Sequence, residues 1–172
     1  VVLTTDSVSE AIIMANSQMG VVIGENQQYV WKRSRKTAQA AFNDIVVGEE
    51  DSGAGSIAQC VNAILEKEEI NISVSALISQ GETPKQILLN TLKDAAVLDL
   101  TGCTVDEILY YVSNGYPVFA MTGSSDAVLV VRYDANNVVL YDPAMGQTYK
   151  RTTADADEMF FNAGNIFFTY QK

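Results

Sequence analysis

The chain has no histidine among its 172 residues. Proton transfer at neutral pH most often uses an imidazole, whose ordinary pKa is about 6.5. A Cys–His or Ser–His hydrolase is therefore excluded in its usual form. The remaining nucleophile candidates are serines and two cysteines, Cys60 and Cys103. Cys60 lies within an apolar helical pattern and Cys103 in a turn-like Thr-Gly-Cys-Thr. Two cysteines make no disulfide framework, and free, partly buried thiols are expected. A zinc site lacks imidazole, and the two thiols stand far apart in sequence.

Charge narrows the partners. Twenty-one acidic against 11 basic residues give a net charge of −10. This balance repels phosphate backbones and anionic membrane surfaces, so nucleic acid and direct membrane insertion are not expected. Lys32-Arg33-Ser34-Arg35-Lys36 is a local exception that could bind an anion; a solvated strand end is the simpler expectation. No run of 18 apolar residues occurs, so no membrane-spanning helix is expected. The opening Val1 suggests a trimmed or mature piece, so the missing signal peptide says nothing of secretion.

The elements that must hold any site follow from periodicity and punctuation. Apolar residues make up 48% and charged residues 19%, enough to bury one core in a single domain spanning 1–172. Ser7 and Glu10 have capping-box spacing before a helix from Val8 to about Ser17. Val21-Val22-Ile23 and Tyr29-Val30-Trp31 suggest a hairpin turning at Gly24-Glu25-Asn26, with Trp31 as a core anchor. Residues 1–50 thus form a helix-and-hairpin extension, and residues 51–172 the main core. Gly48 to Gly55 is the clearest loop, and an internal one.

A helix is expected from Ser56, a plausible N-cap, to about Glu69, with Ile57, Cys60, Val61, Ile64 and Leu65 on one face. Ser73 begins a shorter helix with Leu77 and Ile78 inward. Thr83-Pro84-Lys85-Gln86 begins another. Thr104-Val105-Asp106-Glu107 repeats the capping box, and Asn114-Gly115 closes that helix. The period then changes to β. Strands are expected at Pro117–Met121, Ala127–Tyr133, Val138–Tyr141 and Gln147–Arg151. A helix over Ala154–Ala163 and a strand over Ile166–Tyr170 close the chain. Helices followed by a mostly antiparallel sheet give an α+β class.

The stretch from Ser56 to Tyr170 resembles the papain-like cysteine peptidases of the bacteriocin-processing, double-glycine leader type. Two pieces carry the resemblance. One is the helix, glycine and Pro-Val strand of Thr104 to Val118. The other is Asp126 to Asp134 followed by Val138 to Gly146, with Asp142-Pro143 after the second strand. The resemblance implies a papain-like fold, a nucleophilic cysteine opening the first long helix, a histidine opening the strand, an acid after the next strand, and an oxyanion glutamine before the nucleophile. The acid falls on Asp142 and matches. The histidine falls on Asp126 and does not. Counting back from Asn71-Ile72-Ser73 places the nucleophile at Ser56 and the glutamine near Glu50, both mismatches. The other register places the nucleophile at Cys60, a turn into the helix.

The substitutions undo the chemistry. A carboxylate, with an ordinary pKa of about 3.9, is a poor base at neutral pH. Its charge also disfavours a neighbouring thiolate. The expectation is a degenerate, inactive member of the type, with a cleft holding an extended peptide or protein ligand and no cofactor. Three alternatives stay open. One is an atypical hydrolase using Ser56 or Cys60 with an Asp126/Asp142 carboxylate pair. Another is a cation held by Glu50, Asp126 and Asp142. The third is a structural assembly domain of a larger protein. The resemblance further implies a bacterial protein on the outer side of the membrane.

Overall fold

The computed structural model describes residues 2, 4–35, 39–41 and 44–172. Val1 and Lys36 lie outside them.

Side-chain caps set most helix starts. Helix α1 (Val8–Ser17) begins at Ser7, whose hydroxyl accepts from the Glu10 amide at 3.3 Å. Only half of the expected capping box forms, because the Glu10 carboxylate instead accepts from the Thr5 hydroxyl at 3.2 Å. Helices α4 (Pro84–Thr91) and α5 (Val105–Ser113) have complete boxes, Thr83 with Gln86 and Thr104 with Glu107. Helix α3 (Val74–Ser79) is capped by Ser73; its fully buried residue is Val74, while Leu77 and Ile78 are half-buried. Helix α2 (Ser56–Lys67) departs from expectation at its start: its N-cap is Gly55, and Ser56 is its first helical residue. Asn114 and Gly115 close α5; Gly115 takes φ +89°, a conformation costly for a residue with a Cβ.

Strands β1 (Val21–Ile23) and β2 (Tyr29–Lys32) form a separate two-stranded hairpin. The main sheet is antiparallel throughout. It contains β3 (Gln39–Ala40), β4 (Ala96–Asp99), β5 (Val118–Met121), β6 (Ala127–Tyr133), β7 (Asn137–Asp142), β8 (Gln147–Thr152) and β9 (Phe167–Gln171). Its order is β4-β9-β5-β6-β7-β8. Strand β5 pairs with residues 127–130 of β6, and β3 pairs with Arg132 and Tyr133 beyond the end of β5. The register shifts between Val130 and Arg132, so β6 bulges there.

Helices cover both faces. Helix α2 packs on β6, on the face that carries Leu129 and Tyr141. Helix α6 (Thr153–Asn162) packs on β7 and β8 from the other side, where Phe160 meets Phe167 edge to face. The first fifty residues share this core. Ile12 and Trp31 are buried. The Trp31 indole donates to the Glu107 carbonyl at 2.9 Å, and the Tyr111 hydroxyl donates to the Val30 carbonyl at 3.0 Å. The Ala41 amide donates to the Val131 carbonyl at 2.7 Å.

Candidate functional site

The site forms where the start of α2 meets the start of β6. Gly55 caps α2 without a side-chain bond, so the Ser56 hydroxyl is not spent on its own helix. It accepts from the Ala127 amide at 3.1 Å and donates to the Asp126 carboxylate at 3.4 Å, the long end for such a bond. Asp126 is placed by the loop returning from β5, closed by the Thr122 amide donating to the Asp126 carbonyl at 2.9 Å. Ser56 is nearly buried, at 8% exposure, whereas Asp126 is exposed.

Asp142 ends β7. Because Tyr141 pairs with Leu129, the end of β7 and the start of β6 share one end of the sheet. The Asp142 carboxylate accepts from the Ala144 amide at 2.9 Å, in a local Asx turn. Its charge also reaches Cys60. Burial first, and Asp142 second, push the Cys60 thiol well above its ordinary range. Cys60 is wholly buried in the second turn of α2 and is a free thiol in the core. A thiol held protonated there is inert as a nucleophile. Cys103 is likewise free and buried, pushed up to about 12 by burial and then by Glu107 and Asp99.

The structure thus brings Ser56 and Asp126 into direct contact, sets Asp142 at the same sheet end, and leaves Cys60 inside the core. Glu50 is exposed on the 3-10 turn Glu49–Asp51, and the residue of that turn that points inward is Asp51. Among the described residues no group of three His, Cys, Asp or Glu side chains is placed to hold a metal ion.

Asp51 is the buried acid that sequence reasoning missed. Its carboxylate accepts from the Asn62 side-chain amide at 2.9 Å, the Val74 amide at 2.7 Å and the Ser75 amide at 2.9 Å. Asn62 in turn accepts from the Gly48 amide at 2.6 Å. This network ties the loop before α2 to α2 itself and to the first turn of α3, and so holds the end of the helix on which Ser56 stands. The available signal was Asn62, a polar residue within the apolar helical pattern of α2 and wholly buried there. The basic run is tied down in part. Arg35 donates to Asp106 at 2.7 Å and lies over the Tyr133 ring, and Lys32 lies over the Tyr29 ring.

A cleft of about 360 Å³ opens on the sheet near this end, lined by Asp44, Ile45, Arg132, Tyr141, Gln147 and Thr148 among others. Of its lining, Tyr141 is the neighbour of Asp142 in the chain, and burial, then Cys60 and Asp142, raise its hydroxyl pKa; Ser56, Asp126 and Asp142 are not among the lining residues.

The sequence matches no protein-family model and no curated protein. Among solved structures, a protein from Bacillus anthracis described as a C39-like peptidase matches with a TM-score of 0.60 at 15% identity, covering 70% of this chain and 90% of that one. At this identity the likeness speaks for the fold. The chain has the α+β, papain-like fold of a C39-like peptidase.

Proposed function

We propose that this chain is a catalytically silent papain-like peptidase domain that binds an extended peptide or protein segment without cutting it. One observation carries the reading: the hydroxyl at the head of α2 faces a carboxylate, in a chain without histidine. An exposed carboxylate beside a serine offers a hydrogen-bond acceptor, whereas acyl transfer needs a base and an acid that exchange a proton near neutral pH. The peptidase-type scaffold and the cleft beside Tyr141 support binding as the retained role. Resemblance to the bacteriocin-processing type supports a docking unit of a larger bacterial protein on the outer side of the membrane. Among the described residues no helix is long and apolar enough to cross a membrane.

The test is calorimetric titration of the full chain with a library of extended peptides, beside a cleavage assay on the same library. Binding without cleavage is expected. Cleavage that disappears in both Ser56→Ala and Asp126→Ala would establish the atypical hydrolase instead. Absence of binding by any peptide would favour the assembly-domain alternative.

A further inference from the structure

We propose that the peptide adds as a further antiparallel strand to the open edge of β8, and that it is acidic; this locates the ligand of the binding role proposed above and rests on that role.

Strand β8 ends the sheet order, and all six of its residues pair with β7. Antiparallel pairs alternate between residues that exchange both hydrogen bonds and residues that turn their backbone groups away. The Thr153 amide donates to the Asn136 carbonyl at 2.9 Å, which sets the phase. Counting in twos through the register, residues 151, 149 and 147 bond to β7. Thr148 and Lys150 therefore direct N–H and C=O groups outward, where no described strand receives them. Two residues in this phase match alternate residues of an incoming strand.

The opposite edge is less open. By the same count from the Leu100 amide, which donates to the Phe167 carbonyl, Val97 and Asp99 face outward on β4. There Val97 and Asp99 line a recess with residues 6–9, and Lys85 pairs with the Asp99 carboxylate. Of the two ends of that strand order, β8 is the barer among the described residues.

Charge selects the partner. The chain carries −10, yet residues 144–153 contain no carboxylate and include Lys150 and Arg151. Lys150 is 60% exposed and reaches only a half-exposed Asp134 at 3.5 Å, so most of its charge faces solvent. Two copies pairing edge to edge would set these cations against each other, which disfavours self-association. An acidic segment meets them favourably. Thr148 and Lys150 project onto the face of Tyr141, and Thr148 also lines the 360 Å³ cleft. A side chain of the added strand on this face would border that cleft. The competing reading is that Lys150 only guards the edge against unwanted pairing. A guarded edge binds no strand, so the two readings separate by experiment.

The probe is a short capped peptide in which glutamate alternates with valine, added to the full isotope-labelled chain. At saturation, hydrogen exchange at the Thr148 and Lys150 amides is expected to slow by about tenfold or more. Thr148→Pro removes one outward donor at a position where an edge strand tolerates proline, and should weaken binding by about tenfold with the fold intact by circular dichroism. The Lys150→Glu/Arg151→Glu double variant should weaken it similarly, with unchanged backbone shifts away from β8. Equal binding of a lysine-for-glutamate probe would overturn the charge assignment. Binding that leaves the two amides unprotected would overturn the location and leave peptide binding standing. Failure of the acidic probe while other peptides of the library bind would overturn this inference alone; failure of every peptide would remove both.

Discussion

At the scale of single residues, the deciding contact is the serine hydroxyl against the Asp126 carboxylate. Nothing in the local spacing pairs two residues seventy positions apart; only the family resemblance set Ser56, Asp126 and Asp142 side by side. The glutamine position was not legible in the same way. Glu50 and Asp51 are adjacent acids, and their opposite exposures depend on which amides α2 and α3 offer. The contact itself leads to a measurable prediction. A thiol at Ser56→Cys would sit beside negative charge, which disfavours thiolate. Adding Asp126→His places an imidazole at that distance instead. The double variant should alkylate with iodoacetamide at pH 6.5 about tenfold faster, or more, than Ser56→Cys alone. Cys60 and Cys103 are buried and should contribute no fast phase in either protein. Equal rates would show that position 126 does not control position 56.

At the scale of elements, helix starts and β-hairpins were the most legible features, because they are written in neighbouring residues. Thr83-Pro84 and Thr104-Val105 declare their helices through caps that close within three positions. Strands β3 and β4 were not legible. Two residues form β3 because β6 outruns β5, and four form β4 because β9 lies beside them. Such segments borrow their conformation from distant partners. Two predictions belong here. Asp51→Ala would leave the Asn62, Val74 and Ser75 donors without their acceptor. Hydrogen bonds to a charged acceptor are worth roughly 1.5–3 kcal/mol, so a loss of about 3 kcal/mol is expected in urea denaturation. A second lock joins the end of α2 to β9. Glu68 accepts from the Tyr170 hydroxyl at 2.5 Å and pairs with Lys172 and Lys67. Burial acts to raise its carboxyl pKa, but the bonds from Lys172 and Tyr170 and the nearby lysine charges outweigh it, and the net direction is down. A carboxyl held lower in the folded chain than in the unfolded one favours folding above the unfolded value, about 4.3. That contribution fades as pH falls through the folded value. The stability gap between the parent chain and Glu68→Gln should therefore be full at pH 7 and shrink toward pH 3. A gap independent of pH would show that the bonds act without the charge.

At the scale of the whole molecule, the family resemblance did not reach the first fifty residues, yet the fold cannot be described without them. Trp31 fills the core beside α5 and satisfies a carbonyl of that helix, while β3 completes an edge of β6. The sequence marked Trp31 as an anchor but gave no sign of its partner. A cut in the exposed stretch Ser52-Gly53 tests how far this sharing extends. After mild proteolysis there, the two pieces should elute together in size exclusion and separate only in denaturant. Separation under native conditions would mean that the buried indole and the short strand contribute little to cohesion.

The same shared tryptophan makes the protein a natural candidate for fragment complementation. The indole lies in the piece before Ser52, while the Glu107 carbonyl and Tyr110 ring that meet it lie in the piece after it, so each piece produced alone would leave apolar surface uncovered. Mixing the halves should restore a quenched or shifted tryptophan emission as they reunite. The only tryptophan in the chain would then serve as a built-in reporter of reassembly.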